Sequence, residues 1–334
     1  MAEPRAFVVG CSGLELTDAE ASFFRDADPF GFILFRRNVA SPDQVTALTA
    51  SLRDSVGRDD APVLIDQEGG RVQRMRPPHW RLYLPALDQM RRARDPMRAQ
   101  WVRNRLIAAE LRDAGVDVNC APLADLVEEG THPILLNRLY GGDVDTVVRA
   151  ARACSGGLMA GGVLPVLKHL PGYGRARVDS HHDLPRVSVP RAELESRDFP
   201  PFRGLNDLPM GMTAHIVLDA VDPTRPATTS PEAIRVIRED IGFDGLLMTD
   251  DVGMQALSGP IRERAERSIA AGVDIALQCN GEPADMTAAI QGAGRLEGEA
   301  QLRADRALAL RRPPEPADIP ALVAELDGLL PEGA

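Results

Sequence analysis

The chain has 334 residues, 44% of them apolar, and a formal net charge of −11. That length allows one large domain or two ordinary ones, with apolar residues enough for a sizeable core. The acidic balance argues against nucleic acid and anionic membrane surfaces as partners.

An apolar run at Ala6–Val9 opens the chain, and Thr17-x-x-Glu20 reads as the capping box of a first helix. Gly31–Phe35 is a second strand. Ser41-Pro42-x-Gln44 starts a helix with proline at its first position, and Val45, Leu48, Leu52 and Val56 recur at helical spacing. Pro62–Ile65 and Val116–Cys120 follow as strands. Val147, Ala151, Cys154 and Leu158 mark a helix that Gly161-Gly162 stops. Val163–Leu167 and Met210–Ala214 are the next strands. Ser230-Pro231 opens a helix with Ile234, Ile237 and Ile241 on one face. Gly245–Thr249 is a strand, Ile261, Ala265, Ile269 and Gly272 form a helical stripe, and Asp274–Leu277 is the eighth strand. The stretch from Arg312 to Ala334 is Pro-rich and then amphipathic; Leu322, Val323, Leu326 and Leu330 predict a terminal helix packed on the body.

Several of these strands are apolar throughout, as strands covered on both faces should be. Eight strands with helices between them predict an α/β fold, a single (β/α)8 TIM-type barrel over residues 1–311 with a helical tail over 312–334. A doubly wound open sheet is the runner-up, because strand count does not prove closure. Cys11, Cys120, Cys154 and Cys279 form no C-x-x-C pair, which points to reduced thiols rather than disulfides or a zinc site. The segment MAEPRAFVVG is not signal-like, and no run nears the roughly 18 apolar residues of a membrane helix. A cytoplasmic, monomeric protein is expected.

A barrel places chemistry at the C-terminal ends of its strands. Asp66 follows Val63-Leu64-Ile65, Lys168 and His169 follow Val166-Leu167, His215 follows Met212-Thr213-Ala214, and Asp250 and Asp251 follow Leu246–Thr249. Four strands thus end in titratable residues. In Asp66-Gln67-Glu68-Gly69-Gly70-Arg71-Val72-Gln73-Arg74, glycines let the backbone approach a ligand, carboxylates can accept from sugar hydroxyls, and Arg74 can reach back as a forked donor. The plainer alternative is a salt-bridged strand-to-helix turn. Of Asp250 and Asp251, one suits a nucleophile and the other a helix N-cap. The stretch from Lys168 to Pro185 holds three of six histidines, and Gly172 and Gly174 suit a mobile lid; the alternative is an ordinary surface loop. Asp179 stands two residues before His181, so in extended backbone the carboxylate can orient the imidazole for acid and base work. His169, His181, His182 and Asp183 lack the i, i+4 spacing of familiar zinc motifs, so no metal is expected. His79 and His132 read as structural.

Taken together and in this order, Asp66–Arg74, Lys168-His169-x-Pro171-Gly172, Asp179-Ser180-His181 and Thr249-Asp250-Asp251 resemble the bacterial β-N-acetylglucosaminidases of glycoside hydrolase family 3, in their single-domain, peptidoglycan-recycling form. The resemblance runs from Gly31 to about residue 280. It implies a barrel and a retaining mechanism with no cofactor, Asp250 as nucleophile, and His181 supported by Asp179 as acid and base. It implies Asp66, Arg74, Arg138, Lys168 and His169 as sugar-binding residues, and a muropeptide bearing β-linked N-acetylglucosamine as substrate. Departures are Tyr173 within Pro171-Gly172-Tyr173-Gly174, the segment Leu135–Tyr140 that carries Arg138, and Val252-Gly253-Met254; they bear on substrate preference. Retaining enzymes usually use two carboxyl groups about 5–5.5 Å apart, and a histidine acid departs from that rule. Competing readings are a phosphorylase using the same nucleophile and a non-catalytic sugar-binding protein.

Overall fold

The computed structural model describes residues 3–178 and 183–330. Eight parallel strands close into a barrel: β1 (Arg5–Gly10), β2 (Pro29–Leu34), β3 (Val63–Ile65), β4 (Val118–Asn119), β5 (Leu164–Leu170), β6 (Met210–Thr213), β7 (Leu246–Asp251) and β8 (Ile275–Gln278). Each strand pairs with its neighbours in sequence, and β1 closes the ring on β8 through Phe7 opposite Ala276. The open-sheet alternative is therefore set aside.

Side chains alternate across the barrel wall, as strand geometry requires. Ala6, Val8, Ile33, Leu64, Val166, Met248 and Leu277 fill the interior. Phe7, Val9, Phe32, Leu34, Ile65 and Leu167 face the surrounding helices. The interior is packed, not hollow, in line with other barrels of this type. The helix Gly298–Ala309 adds Ala304 and Ala307 to the interior cluster. Its Arg303 pairs with Asp244 and Asp274, just ahead of β7 and β8, so it closes the N-terminal mouth.

The helix starts follow their local chemistry. Thr17 and Glu20 cap each other reciprocally, and Ser41 accepts from the Gln44 amide. The helix begun at Pro231 widens into a π-turn over Val236–Asp240, yet Ile234, Ile237 and Ile241 still face the core. In the helix Ile261–Ala271 the buried face is Ala265, Ser268 and Ala271; Ile261 and Ile269 of the expected stripe lie at its half-buried edge.

The Pro-rich segment runs along the barrel's outer helices, where Arg105 Nη2 donates to the Glu315 carbonyl at 2.7 Å. The terminal helix Ile319–Leu329 buries Leu326, and Arg98 grips Glu325 through two bonds of 2.6 and 2.9 Å. A buried leucine lost to alanine costs about 2–5 kcal/mol. Leu326→Ala should therefore lower the stability of the whole chain by an amount in that range, read by urea unfolding with a single transition. A separate early transition, with the main midpoint unmoved, would mean that the tail is not part of the cooperative unit.

Candidate active site

The strand ends converge on one cavity of about 200 Å³ at the C-terminal mouth of the barrel. That volume is below the roughly 300–1,000 Å³ of drug-sized pockets and suits a small polar ligand. β5 runs on to Leu170, so Lys168 and His169 lie within the strand and not after it; Asp250 and Asp251 likewise end β7. Both strands lose regular register there, β5 between Leu167 and Leu170 and β7 between Met248 and Asp251. An irregular ladder re-aims side chains. Adjacent residues that would otherwise point to opposite faces thus all line the cavity.

The segment after β3 forms a hairpin, Gln67–Gly69 pairing antiparallel with Val72–Gln73, rather than a strand-to-helix turn. The turn needs its glycines. Gly69 and Gly70 have φ of 97° and 58°, and a Cβ on Gly69 would sit 1.9 Å from Arg103 Nη2. Gln67 Oε1 accepts from the Arg74 and Met75 amides at 2.9 and 3.1 Å, which brings Arg74 back over Asp66.

Charges in the cavity are interlocked. Lys168 Nζ lies 3.0 Å from Asp66 Oδ1 and 2.7 Å from Glu68 Oε1. Arg74 Nη2 donates to Asp66 Oδ2 at 2.8 Å. Arg138 takes Glu68 in a fork, with both bonds at 2.8 Å. Burial alone would raise the Asp66 carboxyl, but Lys168 and Arg74 outweigh it and hold it well below the usual carboxylate range. Burial is likewise overcome at Glu68, where Arg138 and Lys168 bring the carboxyl down from 4.5 to about 2. Lys168 stays firmly protonated, since its two acids more than offset its burial.

The histidines are held from behind. His169 Nδ1 meets Asp125 Oδ2 at 2.8 Å, and Asp125, fully buried, also accepts from the Tyr173 amide at 2.7 Å. Tyr173 lines the cavity beside His169, their ring centroids 5.5 Å apart. His215 is buried against the Asp251 carbonyl and the Thr228 hydroxyl.

The two neighbouring aspartates differ. Asp251 Oδ1 accepts from the Gly253 and Cys279 amides at 2.9 and 3.1 Å, and burial raises its carboxyl. It holds a turn; the expected N-cap is not formed, because the next helix starts only at Ile261 behind Pro260. Asp250 accepts from the Asp251 amide at 2.8 Å and has no ion-pair partner within 4 Å among the described residues. Burial would raise its carboxyl, but His215, His169, that amide and Lys168 keep it below its ordinary value.

Of the expected site residues, Asp66, Arg74, Arg138, Lys168, His169 and Asp250 line this cavity together. Asp179, Ser180, His181 and His182 lie outside the described residues. Glu68, Asp125 and His215 complete the constellation without having been assigned roles from sequence. His132 caps the short helix Pro133–Leu136, and His79 rests edge-on against Trp80. Among the described residues, no three His, Cys, Asp or Glu side chains are grouped to hold a metal. No helix among them is long and apolar enough to cross a membrane.

Residues 12–307 match the model of the glycosyl hydrolase family 3 N-terminal domain. The chain belongs to glycosyl hydrolase family 3. Within that family it is 38% identical to a beta-hexosaminidase of Alkalilimnicola ehrlichii over 281 residues, 82% of this chain and 80% of that one. The structure of NagZ from Neisseria gonorrhoeae, solved in complex with zinc ion, superposes with a TM-score of 0.85 at 30% identity, covering 98% of this chain and 99% of that one. A second structure of that NagZ, in complex with N-trifluoroacetyl-D-glucosamine, gives 0.76 at 30% identity over 93% and 99%. These likenesses make the family 3 chain a glycosidase of the β-N-acetylhexosaminidase type, with a carbohydrate substrate.

The ion pairs of Glu68 link stability to pH. Its folded pKa lies below its ordinary 4.5, so the stabilisation is full above that pH and is lost as the pH falls toward about 2. Glu68→Gln should flatten the dependence of unfolding free energy on pH across that window, in urea melts at successive pH values. A slope equal to that of the parent chain would show that Glu68 is not held ionised.

Proposed function

We propose that this chain is a retaining β-N-acetylglucosaminidase in which Asp250 is the nucleophile and His181, oriented by Asp179, is the acid and base. The observation that carries the reading is the contrast among the buried acids. Asp66 and Glu68 are neutralised by Lys168, Arg74 and Arg138, and Asp251 is tied to two amides. Asp250 alone among these four is held ionised without a direct cation. A nucleophile needs a carboxylate whose charge is not already spent on a neighbour.

In this reading a non-reducing sugar ring enters the cavity and hydrogen-bonds to Asp66, Arg74, Arg138, Lys168 and His169. Asp250 attacks the anomeric carbon as His181 protonates the departing oxygen. The covalent glycosyl-aspartate is then opened by water that His181 deprotonates, with net retention. Pre-organised charge around the ring stabilises the oxocarbenium-like transition state without reorganisation. The natural substrate is inferred, from likeness to single-domain family members, to be an N-acetylglucosaminyl muropeptide fragment from cell-wall turnover, met in the cytoplasm.

Asp250→Asn should lower turnover of an aryl β-N-acetylglucosaminide by more than about 10³-fold, the scale of a lost nucleophile, with the fold intact by circular dichroism. Asp251→Asn should keep far more activity; the reverse order would identify Asp251 as the nucleophile. Product analysis with and without phosphate separates hydrolysis from phosphorolysis.

For His181→Ala, pre-steady-state glycosylation should slow strongly with poor leaving groups and much less with activated phenolates, which depart without a proton. An equal loss across the leaving-group series would leave His181 a binding residue only. Asp179→Asn should show the same pattern at smaller amplitude.

A further inference from the structure

His215 is fully buried on the cavity wall, and the mechanism above gives it no task. Its surroundings place a hydrogen on one ring nitrogen. Nε2 lies 2.9 Å from the Asp251 carbonyl oxygen, which can only accept, so Nε2 carries a hydrogen. Nδ1 lies 2.8 Å from Thr228 Oγ1, and that hydroxyl is 2.8 Å from Thr213 Oγ1. Both threonines are wholly buried. The same hydroxyl lies 3.1 Å from the Ala214 carbonyl; in the neutral ring Thr228 accepts from Thr213 and donates to Nδ1, with that carbonyl as its other acceptor. Burial favours this neutral form against the pull of Asp250 and Asp251.

We propose that His215 is a positioning residue for the nucleophile: as the neutral Nε2–H tautomer it clamps the Asp251 carbonyl and thereby fixes the end of β7 that carries Asp250. This rests on Asp250 being the nucleophile. β7 needs such a clamp because its pairing to β8 is irregular between Met248 and Asp251, so the ladder does not fix Asp250 by itself. Neutrality matters as well. An imidazolium there would neutralise the Asp250 carboxylate and oppose the positive charge that develops on the sugar.

Misplacement of a reacting group by about 1 Å can cost 10²-fold. His215→Leu should therefore reduce the single-turnover glycosylation rate with an activated aryl β-N-acetylglucosaminide by about that factor, with KM changed less than about threefold. His215→Gln, whose amide nitrogen can reach the Asp251 carbonyl, should regain about tenfold, the worth of a good hydrogen bond. Equal losses in both variants, or a loss residing in KM, would overturn the proposal. Should His215→Leu fail to fold, ¹⁵N-histidine NMR of the unaltered enzyme at neutral pH decides: one protonated and one bare ring nitrogen, with the hydrogen on Nε2, supports it, and a doubly protonated ring or a hydrogen on Nδ1 refutes it. An active Asp250→Asn would instead defeat the nucleophile assignment beneath it.

Discussion

The site depends on one buried ammonium group. Lys168 Nζ sits between Asp66 and Glu68 with its side chain 2% exposed. Removing three charges from water is expensive unless they neutralise one another at close range. The strand β5 delivers the lysine, the hairpin after β3 delivers both acids, and Arg138 and Arg74 close the outer sides. Break the lysine and two buried carboxylates lose their shared counter-ion. The hairpin, the loop carrying Arg138 and the end of β5 are therefore one electrostatic unit, although their residues are far apart in the chain.

That unit also sets the acids apart by environment. Three cations face two anions in it, and the surplus positive charge favours the ionised form of Asp250 across the cavity. Desolvation alone would push a buried carboxyl toward its neutral form. Asp250 is held against this by the two imidazoles in their protonated form and, with His215 neutral, by the Asp251 amide and Lys168, while no cation takes up its lone pairs directly. Asp251, its neighbour in sequence, has a raised carboxyl and spends its oxygen on the turn into Cys279. Two adjacent aspartates at one strand end thus differ: Asp251 is held in a turn, and Asp250, the proposed nucleophile, faces the cavity without a direct cation.

The barrel was legible because apolar runs with short lengths and intervening helical periods report burial on both faces of a strand. All eight strands fall where such runs occur, though β4 is only Val118–Asn119 where Val116–Cys120 was expected. The joint exposure of Lys168 with His169, and of Asp250 with Asp251, was not legible, since it comes from register breaks between neighbouring strands. Glu68 did carry a signal: it stands two residues after Asp66 in extended backbone, so both acids share a side. Asp125 carried none, because it meets His169 only through folding that joins positions 44 residues apart. His215 was visible as a strand-end residue, but its partner Thr228 was not.

The central claim is that the Asp250 carboxylate becomes covalently bonded to the sugar. Its most direct test is to let the intermediate accumulate with an activated fluorosugar bearing a 2,4-dinitrophenolate leaving group, then digest the enzyme and map the adduct by mass spectrometry. The account predicts one glycosyl unit on the peptide spanning Leu246–Asp251, with fragmentation placing it on Asp250. An adduct on Asp251, or turnover that yields the inverted anomer with no adduct at all, would contradict it.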